Sequence, residues 1–240
     1  MDKRFLGILG VIIIVFIGVF AISQKSDNNS SGSNNSGSQT TNHVEGQNQK
    51  GVTLVEYGDY QCPICEAYYL PLKQAVAQYI NDIHFQFRNL PLTAIHQNAF
   101  AGARAAEAAS LQGKFWQMHD KLYDNQNAWT SSSSPLDLFS QYAQQIGLNV
   151  TQFKTDYASS KVNDAINADL AAFDKTGKDK ATPTFFLDGV YLPNTGLADP
   201  QTGAPSADKI GAAIKAEIDK KNSGSSSPNN SNSNNTGNPY

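Results

Sequence analysis

The run Glu56-Tyr57-Gly58-Asp59-Tyr60-Gln61-Cys62-Pro63-Ile64-Cys65 constrains this chain most, because it holds the only two cysteines among 240 residues. A β-branched and aromatic segment, Val52 to Tyr57, leads into it, and its nearly continuous apolar character suits a buried central strand. A helical pattern leads out of it, with Pro63 placed where a first helical residue tolerates a missing N–H. The fold must therefore deliver Cys62 to the tip of a helix. Unpaired N–H groups and the helix dipole there favour the thiolate and make Cys62 the expected reactive, exposed sulfur. Cys65 falls one turn later and is expected to be the buried partner that closes or opens a disulfide.

Other readings of the pair are weaker. A structural zinc site takes four Cys or His ligands, and His43, His84, His96 and His119 stand at no ligand spacing. Attachment of c-type haem needs His directly after the second Cys, where Glu66 stands. A stapling disulfide across two residues would constrain the unfolded chain little. No metal and no cofactor beyond a redox-active Cys62–Cys65 disulfide is expected.

The helix after Cys62 is expected to reach about Ile80 with a kink at Pro71, and Ile83 to Arg88 alternates as a strand does. This β-α-β order implies a parallel strand pair. From Ile95 to Thr176 successive apolar stripes are helical, and Ser131 to Ser134 is a polar loop between two of them. Thr184-Phe185-Phe186-Leu187, the turn Asp188-Gly189 and Val190-Tyr191-Leu192 read as a hairpin, and 206–220 as a closing helix.

Residues 23–50 and 222–240 are Ser-, Asn- and Gly-rich and are expected to be a disordered linker and tail around a domain at 51–221. Ahead of them, Lys3 and Arg4 precede an uncharged apolar run from Phe5 to Ile22, long enough at about 27 Å to cross a bilayer. Residues 1–22 are therefore expected to anchor the chain with its domain outside the cytoplasm; a cleaved signal peptide is the alternative. Disulfides persist in that compartment. A net charge of −3 with scattered basic residues gives no sign of a nucleic-acid partner.

With the Cys62-Pro63-Ile64-Cys65 run, the stretches His96 to Ala99, Gln112 to Asp120 and Ala181-Thr182-Pro183-Thr184-Phe185-Phe186 resemble the DsbA-like thiol–disulfide oxidoreductases of the thioredoxin superfamily. The resemblance implies an α/β, thioredoxin-like fold with an inserted helical subdomain at about 94–177. It implies that Thr182-Pro183 is a cis-proline loop facing the cysteines and binding substrate, and that Glu56 lies beneath them as a buried proton carrier. It implies an oxidase of secreted or surface proteins, with reduced or misoxidised proteins as substrates and a membrane reoxidase of the DsbB or vitamin K epoxide reductase type as partner. A tethered reductase or isomerase, and a non-catalytic surface module, are the competing functions. The dipeptide Pro63-Ile64 departs from the Pro-His of strongly oxidising DsbA proteins, so a less depressed Cys62 pKa is expected. His119, Trp116 and Trp129 are read as packing residues, and Tyr57, Tyr60, Tyr68 and Tyr69 as flanks of the cysteine pair.

Overall fold

The run before Cys62 becomes the middle strand of the sheet. In the computed structural model, which describes residues 39–224, the order is β1 (His43–Glu45), β2 (Val52–Gly58), α1 (Pro63–Gln78) and β3 (Ile83–Asn89). A helical block follows: α2 (Ala99–Ser110), α3 (Phe115–Asp124), α4 (Gln126–Trp129), α5 (Pro135–Gln145), α6 (Val150–Tyr157) and α7 (Ser160–Asp174). The chain then returns through β4 (Thr184–Leu187), β5 (Val190–Leu192) and α8 (Ala207–Gly224). The architecture is thioredoxin-like, a central sheet with helices and an inserted helical subdomain.

The five strands lie in the order β1-β3-β2-β4-β5. β2 and β3 run parallel through the α1 crossover, and the other neighbours are antiparallel. Strand periodicity puts Val52, Leu54 and Glu56 on one face of β2. Tyr68, Leu72 and Val76 of α1 and Ile210, Ile214 and Ile218 of α8 pack in the apolar cluster that contains Val52 and Leu54. The opposite face carries Tyr57, which packs with Leu90 and with Phe173 of α7. Burial on both faces explains why β2 reads as an almost unbroken apolar run.

Two boundaries differ from the sequence expectation. The linker expected through Lys50 is ordered from residue 39: β1 pairs with β3, the main-chain N–H and the hydroxyl of Thr41 both donate to Asp169, and His43 Nε2 lies 2.7 Å from Glu107 Oε1. Two polar residues, Thr41 and His43, with specific buried partners fasten a segment whose composition offers little apolar surface. The tail expected from 222 begins inside α8, which extends to Gly224. α1 continues through Pro71 and ends at Gln78. The apolar run at 5–22 lies outside the described residues, and among those described no helix is long and apolar enough to cross a membrane.

Gly58 ends β2 where no side chain fits. A Cβ there would stand 2.5 Å from the Phe87 ring and 3.2 Å from Glu56 Oε1. Gly58→Ala should therefore overpack this point and cost about 1–3 kcal/mol. Thermal unfolding should show a fall in Tm of about 2–4 °C per kcal/mol lost. An unchanged Tm would mean that Phe87 and Glu56 can move aside freely.

Candidate active site

The turn after β2 sets the cysteines. Cys62 is the N-cap residue of α1, with extended φ/ψ of −70° and 123°, and Pro63 follows as the first helical residue. The Cys62 side chain makes no cap hydrogen bond. Its sulfur is left beside the free N–H groups of the first turn, and the N–H groups of Ile64 and Cys65 both favour its thiolate. Both thiols are unbonded. The Cys65 thiol contributes most to holding Cys62 down, against a smaller opposing effect of burial, and the Cys62 pKa falls to about 6. Cys65 moves the other way: burial first, then the neighbouring Cys62, raise it well above the ordinary thiol value.

Cys62 is less open than its assignment as the exposed sulfur implied. It is only 5% exposed, against 1% for Cys65. It belongs to the buried cluster that includes Tyr60, Cys65 and Tyr69, and the cis Thr182-Pro183 peptide lies against it. The Cys62 thiol donates to the Thr182 carbonyl oxygen at 3.4 Å. The exposed rim is formed by Pro63 and by Ile64, which is 52% exposed. All four tyrosines are buried in the interior clusters, and Tyr68 also lines a groove beside Ile64.

Glu56 lies in register between Phe87 of β3 and Phe185 of β4, both fully buried. Its carboxyl has no hydrogen-bond or ion-pair partner among the described residues. Burial above all, with a smaller push from Cys62, raises its pKa to about 8. Thr182 and Pro183 stand far in sequence from the run that holds Glu56, Cys62 and Cys65, and the pairing of β2 with β4 brings them to one end of the sheet.

Several residues that hold this site had not been singled out for it. Gln126 of α4 donates to the carbonyl oxygens of Tyr60 and Cys62 at 3.0 and 2.9 Å. Asp59 accepts from the N–H groups of Gln61 and Leu92, and its Oδ2 lies 2.7 Å from His96 Nδ1. The main-chain N–H of Asp59 also donates to Cys65 Sγ at 3.5 Å. The Gln61 side chain accepts from Asn98 N–H and donates to the Thr130 carbonyl oxygen. Asp59 and Gln61 stood inside the cysteine run, so proximity was a signal; Gln126 carried none. No group of His, Cys, Asp and Glu able to hold a metal occurs among the described residues.

Comparison with known proteins agrees with this fold. The family model described as Thioredoxin matches residues 38–216. The structure of oxidised BdbD from Bacillus subtilis is similar with a TM-score of 0.62 and 21% identity, covering 76% of this chain and 97% of that one. The α-DsbA1 structure from Wolbachia pipientis gives 0.62 and 17%, covering 77% and 94%. A thioredoxin-like oxidoreductase from Silicibacter pomeroyi gives 0.58 and 24%, covering 74% and 92%. Among curated sequences, the Na(+)/H(+) antiporter NhaA 1 of Mycolicibacterium vanbaalenii is 38% identical over 151 residues, which are 62% of this chain and 23% of that protein. The chain thus spans about a quarter of the length of the curated relatives it matches.

Alkylation of the reduced protein should rise with pH about a midpoint near 6 as Cys62 ionises. Cys65→Ala removes the main stabiliser of that thiolate, and the midpoint should climb toward the ordinary thiol value of about 8.5. A midpoint that stays in place would assign the effect to the helix tip alone.

Glu56 gives a second pH signature. Its folded pKa is raised, so its contribution to stability is full below the ordinary carboxyl value of 4.5 and is lost as pH rises through about 8. Wild type should lose stability relative to Glu56→Gln over that interval, by up to about 1.4 kcal/mol per pH unit. Parallel urea melts of the two proteins measure this, and a constant difference across pH would contradict it.

Proposed function

Because the chain belongs to the thioredoxin family by its match over residues 38–216 and shares the fold of DsbA-like structures, we propose that it is a thiol–disulfide oxidoreductase introducing disulfides into secreted or surface proteins. The observation that carries this reading is the Cys62 thiol at a helix tip, 3.4 Å from the Thr182 carbonyl oxygen, with Cys65 and Glu56 buried behind it. A low-pKa sulfur in front is a good leaving group, and a high-pKa sulfur behind it needs a proton.

In the oxidising direction a substrate thiolate attacks Cys62 Sγ. The Cys62–Cys65 bond breaks and its electron pair passes to Cys65. Glu56, protonated below about 8, gives Cys65 its proton. A second substrate thiolate attacks the substrate-side sulfur and expels the Cys62 thiolate, leaving the substrate disulfide and the reduced pair. In this reading main-chain groups of Thr182 pair with an extended substrate segment. Beside them lies a groove of about 420 Å³ lined by Ile64, Ala67, Tyr68, Asn194, Pro200 and Pro205, among others, which suits the apolar side chains of unfolded proteins.

In this proposal the segment at 5–22 tethers the domain outside the cytoplasmic membrane, and a membrane reoxidase of the DsbB or vitamin K epoxide reductase type restores the disulfide. Ile64 supplies no imidazole to the Cys62 thiolate. With Cys62 near 6, the pair belongs between thioredoxin and DsbA, which have pKa values of about 7 and 3.5 and potentials of about −270 and −120 mV. The antiporter relatives owe their name to much longer proteins, and no ion transport is proposed.

The test is oxidation of a reduced, disulfide-containing protein by the isolated oxidised form. Cys62→Ala should abolish turnover, as should Cys65→Ser, which cannot form the internal disulfide; its Cys62 thiolate should instead attack an already oxidised substrate and hold it as a mixed disulfide, releasing the other substrate sulfur as a thiolate. Turnover that survives Cys62→Ala would end this reading. A glutathione equilibrium placing the pair well below about −270 mV would assign it to the reductive direction instead.

A further inference from the structure

The carboxyl of Glu56 can serve repeated cycles only if its proton can be exchanged with water, and the front of the site offers little room. Glu56 is 3% exposed, and a docked substrate would cover Cys62 further. On its other side Glu56 lines a chamber of about 240 Å³ between α1 and α3. Lys73, His119, Asp120 and Tyr123 line the same chamber. Lys73 and Asp120 form an ion pair of 2.6 Å with side chains 54% and 36% exposed, so this end meets solvent.

His119 stands between these ends in a way packing alone does not explain. Its ring is wedged among Tyr60, Tyr69, Phe87, Trp116 and Tyr123, with centroids 5.0–5.8 Å away. Phe87 is the register neighbour of Glu56. Nδ1 of His119 lies 3.3 Å from Asp120 Oδ1, toward the exposed pair. Nε2 is buried and has no partner among the described residues, as do the hydroxyls of Tyr60 and Tyr123 beside it. Buried polar atoms without protein partners call for an explanation, and the chamber beside His119, largely apolar but with the carboxyl groups of Glu56 and Asp120 in its walls, has room for water.

We propose that this chamber is the proton port of the redox centre, and that His119 passes protons between the Glu56 carboxyl and the Lys73–Asp120 pair at the surface. When Cys65 takes the proton of Glu56, the carboxylate is recharged from His119 through water, and His119 is recharged from solvent past Asp120. Reoxidation runs the same path outward. The groups facing His119 are His43 and Glu45 from β1, Glu56 from β2, Tyr60, Tyr69 and Lys73 from the turn and α1, and Asp120 and Tyr123 from its own helix. Burial lowers its pKa, with Lys73 and His43 acting in the same sense and Asp120 opposing them. A neutral imidazole can accept a proton on one nitrogen and release one from the other. His119 acts through Glu56, so it is a positioning and relay residue, not one that touches the reacting sulfurs.

The proposal rests on a redox-active Cys62–Cys65 pair but not on the direction of flux, so its test uses reduction of the oxidised protein by dithiothreitol. His119→Phe keeps a ring and removes both nitrogens. Its reduction rate should fall about 10-fold, at the low end of proton-transfer effects, and free imidazole at millimolar concentration should restore part of it. Glu56→Gln should slow wild type similarly, and His119→Phe should add nothing to it, since one path is cut in both. Alkylation of reduced Cys62 should keep its midpoint in His119→Phe. Should that variant fold poorly, Asp120→Asn leaves the buried packing intact and should slow reduction about 3-fold, a modest share of a proton-transfer effect. Wild-type rates in both variants from pH 5 to 9, or additive losses in the double variant, would overturn the relay while leaving the oxidoreductase reading in place. A wild-type disulfide inert to dithiothreitol would overturn both.

Discussion

The structure is arranged around one costly placement, a carboxyl group without an ion partner in the middle of the sheet. Removing a charge from water is expensive, and a protein meets that cost by pairing the group or by keeping it neutral. Between Phe87 and Phe185 no cation is available to Glu56, so it stays protonated to about 8. The local sequence accommodates it in detail. Gly58 omits a Cβ that would press on Glu56 and Phe87. Cys65 is carried above by the first turn of α1.

That arrangement separates the two sulfurs chemically although they share one helical turn. The same Cys65 thiol that lowers Cys62 is itself raised by burial and by the Cys62 charge. Each therefore reinforces the other's displacement. The inserted helices make the asymmetry persistent. Gln126 holds the main chain at Tyr60 and Cys62, and Asp59 joins the turn to Leu92 and His96. These contacts fix the angle at which Cys62 meets Thr182, so the insertion supports the site in addition to framing it.

Much of this was legible in the sequence because it rests on local rules. The bounds of β4 and the turn at Asp188-Gly189 follow from alternation and turn chemistry, and both turn residues have positive φ. The helix tip at Cys62 follows from Pro63. What escaped depends on distant partners. β1 lies in a polar tract, and only the side chains of Asp169 and Glu107, more than 60 positions away, reveal why residues 41 and 43 are ordered. Gln126 looks like any surface glutamine until α4 turns it toward Cys62. The resemblance set Thr182-Pro183 opposite the cysteines; what escaped is how far Cys62 is covered there, since Thr182 lies 120 residues away and no local rule gives the contact. The exposed sulfur expected from the helix tip is instead buried, with its thiol against the Thr182 carbonyl oxygen.

His119 shows how a packing reading and a functional one can both hold. Its ring fills space among aromatic neighbours, as expected of a buried histidine beside a tryptophan. A phenylalanine would serve that purpose without burying two nitrogens. One nitrogen is turned to Asp120, and the other is buried without a partner among the described residues, on a side chain that lines the same chamber as Glu56. A buried polar atom of this kind carries a desolvation cost of about 1–3 kcal/mol unless water satisfies it. Water at that position would connect the imidazole to the carboxyl, so the arrangement that relieves the cost also supplies a path for the proton. Under the proposed relay, stability and function thus both favour water in the chamber behind the cysteines, which the apolar residues around Glu56 enclose.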